Sequence, residues 1–338
     1  IAQVHKAVLK DGRTVAVKVQ HRHAAGRIPK DLLAMRIIAH VVRILTFGEA
    51  DAMPLVNEWL GAVIEELDFQ KEVHSQIKGR NALRENGVNV VVPEVYPELC
   101  SKRVMVMEFI EGSPVCAGDS LLTNDEKVAV MHDLVHAYAV GLFGTGHFNA
   151  DPHAGNLLVT WKEPGGRPYC VLLDWGLTKT LSEERRQALC QLMVSTGMKD
   201  TCGIVAAFMG LGLTWSSKDG AVDPEPEFLM AMLRHISLIE GRQRSMQVSK
   251  KLFEAIEKTS ASHQQLGNAI ESYTGDFFFV MRVATLIKGL SAILDIRAQF
   301  LDVFVRTCRD SLRGPKPACL PRALPPHGAL ERRVAAIA

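Results

Sequence analysis

The chain of 338 residues is 47% hydrophobic, enough to bury a sizeable core as one large or two modest domains. Lysine and arginine (39) nearly balance aspartate and glutamate (37), and the net charge of +2 leaves no electrostatic footprint for nucleic acid. The seven cysteines are scattered without C-x-x-C or a histidine cluster, which suggests neither a disulfide framework nor a zinc site and points to an intracellular, reducing compartment.

The chain has no initiator methionine and opens in mid-strand, so a longer parent protein is expected, with any targeting segment outside this sequence. Ile1 to Leu9 alternates loosely, Lys10-Asp11-Gly12-Arg13 makes a turn, and Thr14 to Gln20 alternates strictly, which predicts a hairpin. Period two places Val15, Val17 and Val19 on one face and Ala16, Lys18 and Gln20 on the other. A lone lysine there is usually solvated. Val-Ala-Val-Lys after a hairpin, however, is the pattern of the kinase lysine that holds the α- and β-phosphates.

Such a lysine needs a carboxylate partner. The stretch Trp59 to Arg84 is predicted as one helix with an acidic cluster at Glu65, Glu66, Asp68 and Glu72, which supplies candidates. Between Lys18 and Glu72 lies an insert predicted to add two helices. The first, Ile28 to Phe47, is apolar at Leu32, Leu33, Ile37, Ile38, Val41, Val42 and Leu45. Core packing is the expected fate of its face near Ile37, with lipid contact as the alternative. Neither Leu32 to Phe47 nor Asp276 to Leu294 reads as a membrane span, because Arg36, His40, Arg43, Arg282 and Lys288 interrupt them.

Val90 to Val95 and Arg103 to Ile110 are predicted as further strands, giving a sheet of four or five. Gly112-Ser113-Pro114 then marks a boundary between lobes, where backbone groups of Glu108 and Ile110 would face an adenine ring. Thr123-x-x-Glu126 is a capping box opening a helix to about Gly144, and Ser182 caps another to about Thr196. Further helices are predicted at Glu227 to Glu240, Met246 to Thr259, Gln264 to Tyr273 and Phe277 to Arg313. From Gly314 the chain is proline-rich and reads as a linker or tail.

The stretch Gly146 to Gly176 carries the chemistry. Asp151 precedes Asn156 by five residues, and Asp174-Trp175-Gly176 follows a predicted strand pair, Leu157 to Trp161 and Tyr169 to Leu173. That order supplies a base for a hydroxyl and two oxygen ligands for Mg²⁺. The expected architecture is α+β: a two-lobed, protein-kinase-like fold with a small antiparallel sheet lobe over residues 1–112, a helical lobe over 113–313 and a tail over 314–338.

Together these motifs resemble the UbiB family of atypical kinases, also called aarF-domain kinases, over roughly residues 1 to 300. Ile-Ala-Gln-Val-His-Lys-Ala (1–7) resembles the end of the family's alanine-rich nucleotide loop, which implies Ala2 and Gln3 as nucleotide contacts. Glu66-Leu67-Asp68 resembles its Glu-x-Asp signature, with Glu72 as the partner of Lys18. Asn149-Ala150-Asp151-Pro152-His153-Ala154-Gly155-Asn156 resembles its catalytic loop, with Asn149 in place of histidine and Ala154 in place of proline. The first departure is expected to alter loop support more than chemistry. Asp-Trp-Gly is similar to a plant and algal subgroup whose kinase-like domain precedes a serine-hydrolase-like domain. The resemblance implies ATP and Mg²⁺ as cofactors, Asp151 and Lys18 as catalytic groups and Asn156 and Asp174 as metal ligands. It also implies a role in isoprenoid-quinone or lipid metabolism in mitochondrion or chloroplast. A small-molecule kinase of the aminoglycoside or choline type, or a catalytically silent nucleotide- or lipid-binding scaffold, are the alternatives.

Overall fold

The computed structural model describes residues 1–45, 60–61, 63–117, 121–163, 165–212, 238–239, 275–296, 298–299 and 301–313. Strands β1 (Ala2–Val8) and β2 (Thr14–Gln20) form the expected hairpin, with Val8 opposite Thr14. Its turn needs Gly12, whose φ of 90° a side chain would strain. Helix α1 (Ala24–Leu45) follows, and its expected docking is corrected: Leu32 and Ala39 are buried, but Ile37 is 57% and Ile38 63% exposed, with Leu33, Val41 and Ile44 exposed beside them. Leu33, Ile37, Val41 and Ile44 recur at helical spacing on one stripe that stays uncovered, while Leu32 and Ala39 on another side of the helix are buried.

The expected single helix from Trp59 to Arg84 is divided. Residues 63–65 are helical, Glu66 and Leu67 turn, and helix α2 (Phe69–Glu85) starts afresh from Asp68, whose side chain accepts from the Gln70 amide at 3.1 Å. An aspartate that satisfies an orphan amide favours a new start over continuation. The next pairing also departs from expectation. Strand β3 (Val90–Val91) pairs in parallel with β8 (Pro168–Leu172) and not with the hairpin. Strand β4 (Val104–Glu108) completes the first sheet in the order β1-β2-β4, so it has three strands among the described residues, not four or five. Residues 92–95 reach that sheet through the single bridge Val95 to Met107. Pro93 cannot donate to a ladder, which cuts the run short.

Strand β5 (Ser113–Pro114) pairs with β7 (Leu157–Trp161), and Gly112 is required before it because a Cβ there would lie 2.7 Å from the Val159 carbonyl oxygen. Helix α3 (Asn124–Ala139) opens on Thr123 with both halves of the capping box present, then continues as a π-helical turn over Val140–Thr145. The run Asn124–Thr145 is long and apolar enough to cross a bilayer, but most of it is buried in the main core with Leu134, Val135 and Phe143. Strand β6 (His147–Asn149) pairs with β9 (Thr178–Thr180), and β7 with β8, so the stretch between Gly146 and Thr180 folds as two nested hairpins.

Helices α4 (Glu183–Met198), capped by Ser182, and α5 (Thr201–Gly210) pack together. The short strands β10 (Leu238–Ile239) and β11 (Ala298–Gln299) pair with one another, which corrects the predicted helix through Glu240 at those two residues. The expected helix from Phe277 to Arg313 is two, α6 (Gly275–Ile293) and α7 (Leu301–Leu312). Asp295 adopts φ 50° and the Ile296 amide closes back on Ser291 at 3.0 Å, a left-handed cap that ends α6. The predicted helices at 246–259 and 264–273, and the tail 314–338, lie outside the described residues.

Two buried clusters result. A small one joins Ala16, Met105 and Met107 of the first sheet to Phe69 and Val73 of α2. A large one takes in α3, β7, β8, α4, α6 and the second half of α2. Helix α2 thus belongs to both, and its middle residue Gly79 faces Trp175, whose ring a Cβ would overlap. Gly79→Ala is expected to cost about 1–3 kcal/mol in urea unfolding, as overpacking does. Gly26→Ala in α1, where nothing lies within 4 Å, is expected to gain about 0.5–1 kcal/mol in the same measurement.

Candidate active site

The cleft between the clusters is organised by one ammonium. Strict alternation in β2 turns Lys18 inward beside Ala16, and its side chain is only 12% exposed. Its Nζ donates to Glu72 Oε1 at 2.7 Å and to Asp174 Oδ2 at 3.2 Å. Glu72 stands in the first turn of α2, 3% exposed, and Asp174 Oδ1 accepts from the Gly176 amide at 2.9 Å. Residues 54 and 156 positions away from Lys18 therefore meet on one atom.

The charges there are out of balance. Burial, and then the nearby Asp174, push the Glu72 carboxyl up to about 7 against the pull of Lys18. Burial and Asp174 likewise raise Glu66. Burial alone would lower Lys18, yet the two carboxylates hold it above the ordinary lysine value. Burial also works to raise Asp174, and is outweighed by Lys18 and the Gly176 amide, which lower it. Both members of the Lys18–Glu72 pair move up: burial and then Asp174 raise Glu72, while the two carboxylates raise Lys18 against its own burial.

The cleft has a volume of ≈ 300 Å³, and its walls include Ala2, Lys18, Glu66, Glu72, Asp151, Asn156 and Asp174. Ala2 lines it and Gln3, one step along β1, does not; Gln3 instead sits opposite Val19. Glu108 ends β4 with its amide donating to Glu94 at 2.7 Å, and neither it nor Ile110 is among the lining residues. Gln20 Nε2 donates to the Leu67 carbonyl at 2.8 Å, which ties the Glu66–Asp68 turn to the strand carrying Lys18. Glu66 then faces the cleft while Asp68 caps α2, so the two signature residues have different tasks.

Asn149 holds the loop that carries Asp151 from both sides. Its amide nitrogen donates to the Asp174 carbonyl, and its oxygen accepts from the Asp151 amide at 2.7 Å. Leu173 N donates to Asn156 O at 3.1 Å, which closes the other end of the loop on the strand before Asp174. Asn156 Nδ2 reaches the Asp151 carbonyl at 3.4 Å, which leaves its Oδ1 for a ligand. His147 Nε2 donates to the Ser75 carbonyl at 3.2 Å, so Nδ1 accepts from the Thr180 hydroxyl at 2.9 Å; burial lowers its pKa and the ring lies over Trp175.

Two residues here escape sequence reasoning. His147 gave no signal beyond its position before the loop. Arg282 of α6 donates to Asp151 Oδ1 at 2.6 Å, and its one sequence signal is a charge placed inside Phe277-Phe278-Phe279-Val280-Met281 and Val283.

The donors suit a divalent cation. Asp174 and Asn156 offer oxygens at the cleft floor, and the crowded carboxylates Glu66, Glu72, Asp151 and Asp174 outnumber Lys18 and Arg282. Among the described residues no three His, Cys, Asp or Glu side chains form a closed metal cage. Mg²⁺ asks for less, usually one or two carboxylates completed by phosphates and water. Lys18→Ala should destabilise the ligand-free protein by about 3–5 kcal/mol in urea unfolding, since it strands a buried carboxylate. The double variant Lys18→Met/Glu72→Leu should recover much of that loss.

The chain is similar to known proteins in both sequence and fold. A family model described as the ABC1 atypical kinase-like domain matches residues 1–208. AarF domain-containing protein kinase 1 of Gallus gallus is 31% identical over 301 residues, 88% of this chain and 56% of that protein. The Mus musculus protein of the same name is 37% identical over 231 residues, 68% of this chain and 42% of that one. The probable protein kinase UbiB of Shewanella woodyi is 30% identical over 224 residues, 65% and 40% respectively. The chain thus spans about half the length of the curated relatives it matches. Among solved structures, Rv3197 of Mycobacterium tuberculosis, in complex with erythromycin, superposes with a TM-score of 0.62 at 22% identity, covering 90% of this chain and 75% of that one.

Proposed function

Because the chain belongs to the ABC1 family of atypical kinases, which includes the AarF domain-containing kinases and UbiB, we propose that it binds Mg-ATP in this cleft and hydrolyses it or transfers its γ-phosphoryl group. The observation that carries the reading is the meeting of Lys18 with Glu72 and Asp174 at 2.7 and 3.2 Å. Lys18, oriented by Glu72, holds the α- and β-phosphates. Asp174 and Asn156 hold Mg²⁺, which when bound offsets the charge on the phosphates. Asp151 aligns the attacking hydroxyl or water and accepts its proton. Positioning and charge carry such chemistry, since the protein contributes little covalently.

Family membership supports a role in isoprenoid-quinone or lipid metabolism, with mitochondrion or chloroplast as the proposed compartment. Helix α1 favours an addition to this reading. Its exposed Leu33, Ile37, Ile38, Val41 and Ile44, with Arg27, Lys30 and Arg36 beside them, suit contact with an anionic lipid surface. Flotation with vesicles containing anionic lipid should retain the protein, and Ile37→Asp/Ile38→Asp should release it. Equal flotation of the two proteins removes the lipid contact.

Two measurements test the main reading. Mg-ATP should raise the melting temperature of the protein, as any ligand of the native state does. Asp174→Ala should abolish that shift and slow ADP release by about 10²–10³-fold, the scale of losing one electrostatic contact to a transition state. No nucleotide-dependent stabilisation of the unaltered protein favours the silent scaffold. Rapid phosphorylation of a small alcohol favours the small-molecule kinase.

A further inference from the structure

The loop that carries Asp151 is fixed at its backbone by Asn149 and by the His153 amide, which donates to the Asp151 carbonyl at 2.8 Å. Those bonds do not orient the carboxylate. Its orientation is set from another part of the chain, 131 residues on, by the guanidinium of Arg282 at 2.6 Å. The pair is three-quarters shielded from water, with side-chain exposures of 23% for Arg282 and 24% for Asp151. Helix α6 is well suited to hold a charge still. Phe279, Val280, Val283 and Ile287 bury its apolar side in the main core. Its N-terminal end is tied to α4 by the Arg185–Asp276 ion pair and to β9 by Lys179 over the Phe279 ring at 4.4 Å.

We propose that Arg282 is a positioning residue for Asp151, an inference that rests on the phosphoryl-transfer reading above. It holds Oδ1, leaves Oδ2 for the attacking group, and offsets the repulsion between this carboxylate and the incoming γ-phosphoryl group. In the step it serves, the attacking oxygen bonds to the γ-phosphorus as the bond to the β-phosphate oxygen breaks. The proton of the attacking O–H passes to Oδ2, and ADP leaves with the electron pair of the bridging oxygen. An arginine suits the place because its charge is permanent and its planar fork resists rotation once bonded.

The test uses Arg282→Gln, Arg282→Lys, Asp151→Asn and the double variant Arg282→Gln/Asp151→Asn in the full chain, read by ADP release. Arg282→Gln should lower kcat by about 10- to 100-fold, the scale of a misplacement near 1 Å. KM for Mg-ATP, and the melting shift with Mg-ADP, should stay within about twofold because Arg282 is assigned no ground-state contact with nucleotide. Arg282→Lys should recover part of kcat, and it keeps the test decisive if Arg282→Gln does not fold. The double variant should turn over no more slowly than Asp151→Asn alone, since the arginine acts through that carboxylate. Unchanged kcat in Arg282→Gln, or losses that add in the double variant, overturn the positioning role alone. Absence of ADP release from the unaltered protein overturns the phosphoryl-transfer reading and this inference with it.

Discussion

The buried ammonium of Lys18 is the constraint on which the rest of the structure turns. It takes a carboxylate from α2 and another from the turn after β8, so the sheet, the helix and the nested hairpins meet in one arrangement. An ion pair this deep gives little net stability of its own, because desolvation offsets much of the Coulomb gain. Its value is geometric. A strand of period two aims the lysine, a fresh helix start at Asp68 places Glu72 in the first turn, and the Gly176 amide fixes Asp174.

Around this centre the fold removes freedom from the parts that must stay in register. Gly79 admits the Trp175 indole against α2, so the helix carrying Glu72 and the turn carrying Asp174 are packed on one another. His147 stacks on the same indole and bonds to Ser75 of α2 and Thr180 of β9. Asn149 links the Asp151 and Asp174 segments directly. Such packing makes the carboxylate positions properties of the core and not of loop side chains. Burial first, and then the crowding of negative charge that results, raises Glu72 and Glu66.

The helical half does more than support the cleft from below. Through Arg282 of α6 it reaches the loop that carries Asp151. The inserted helix α1 stands apart from this logic. Its apolar surface is left largely uncovered by the described residues, which ordinary core packing would not allow.

What the sequence alone determined is the local chemistry. The hairpin, the Thr123 capping box, the Ser182 cap and the β7–β8 pair follow from alternation and capping residues, whose physics acts within a few positions. Lys18, Glu72, Asp151, Asn156 and Asp174 stand along the chain in the order that phosphoryl-transfer chemistry asks for, and in the structure all five line one cleft. Only the tertiary structure decided where Val90–Val91 would pair, that α2 would restart at Asp68, that α6 and α7 would separate at Asp295, and that α1 would stay exposed. The pairing of Val90–Val91 and the exposure of α1 depend on which distant segment offers a free edge or a surface, whereas the breaks at Asp68 and Asp295 are caps closed within a few positions that apolar periodicity alone passes over. Arg282 is the clearest case: along the chain it is a charge interrupting an apolar helix, and only folding brings it to Asp151.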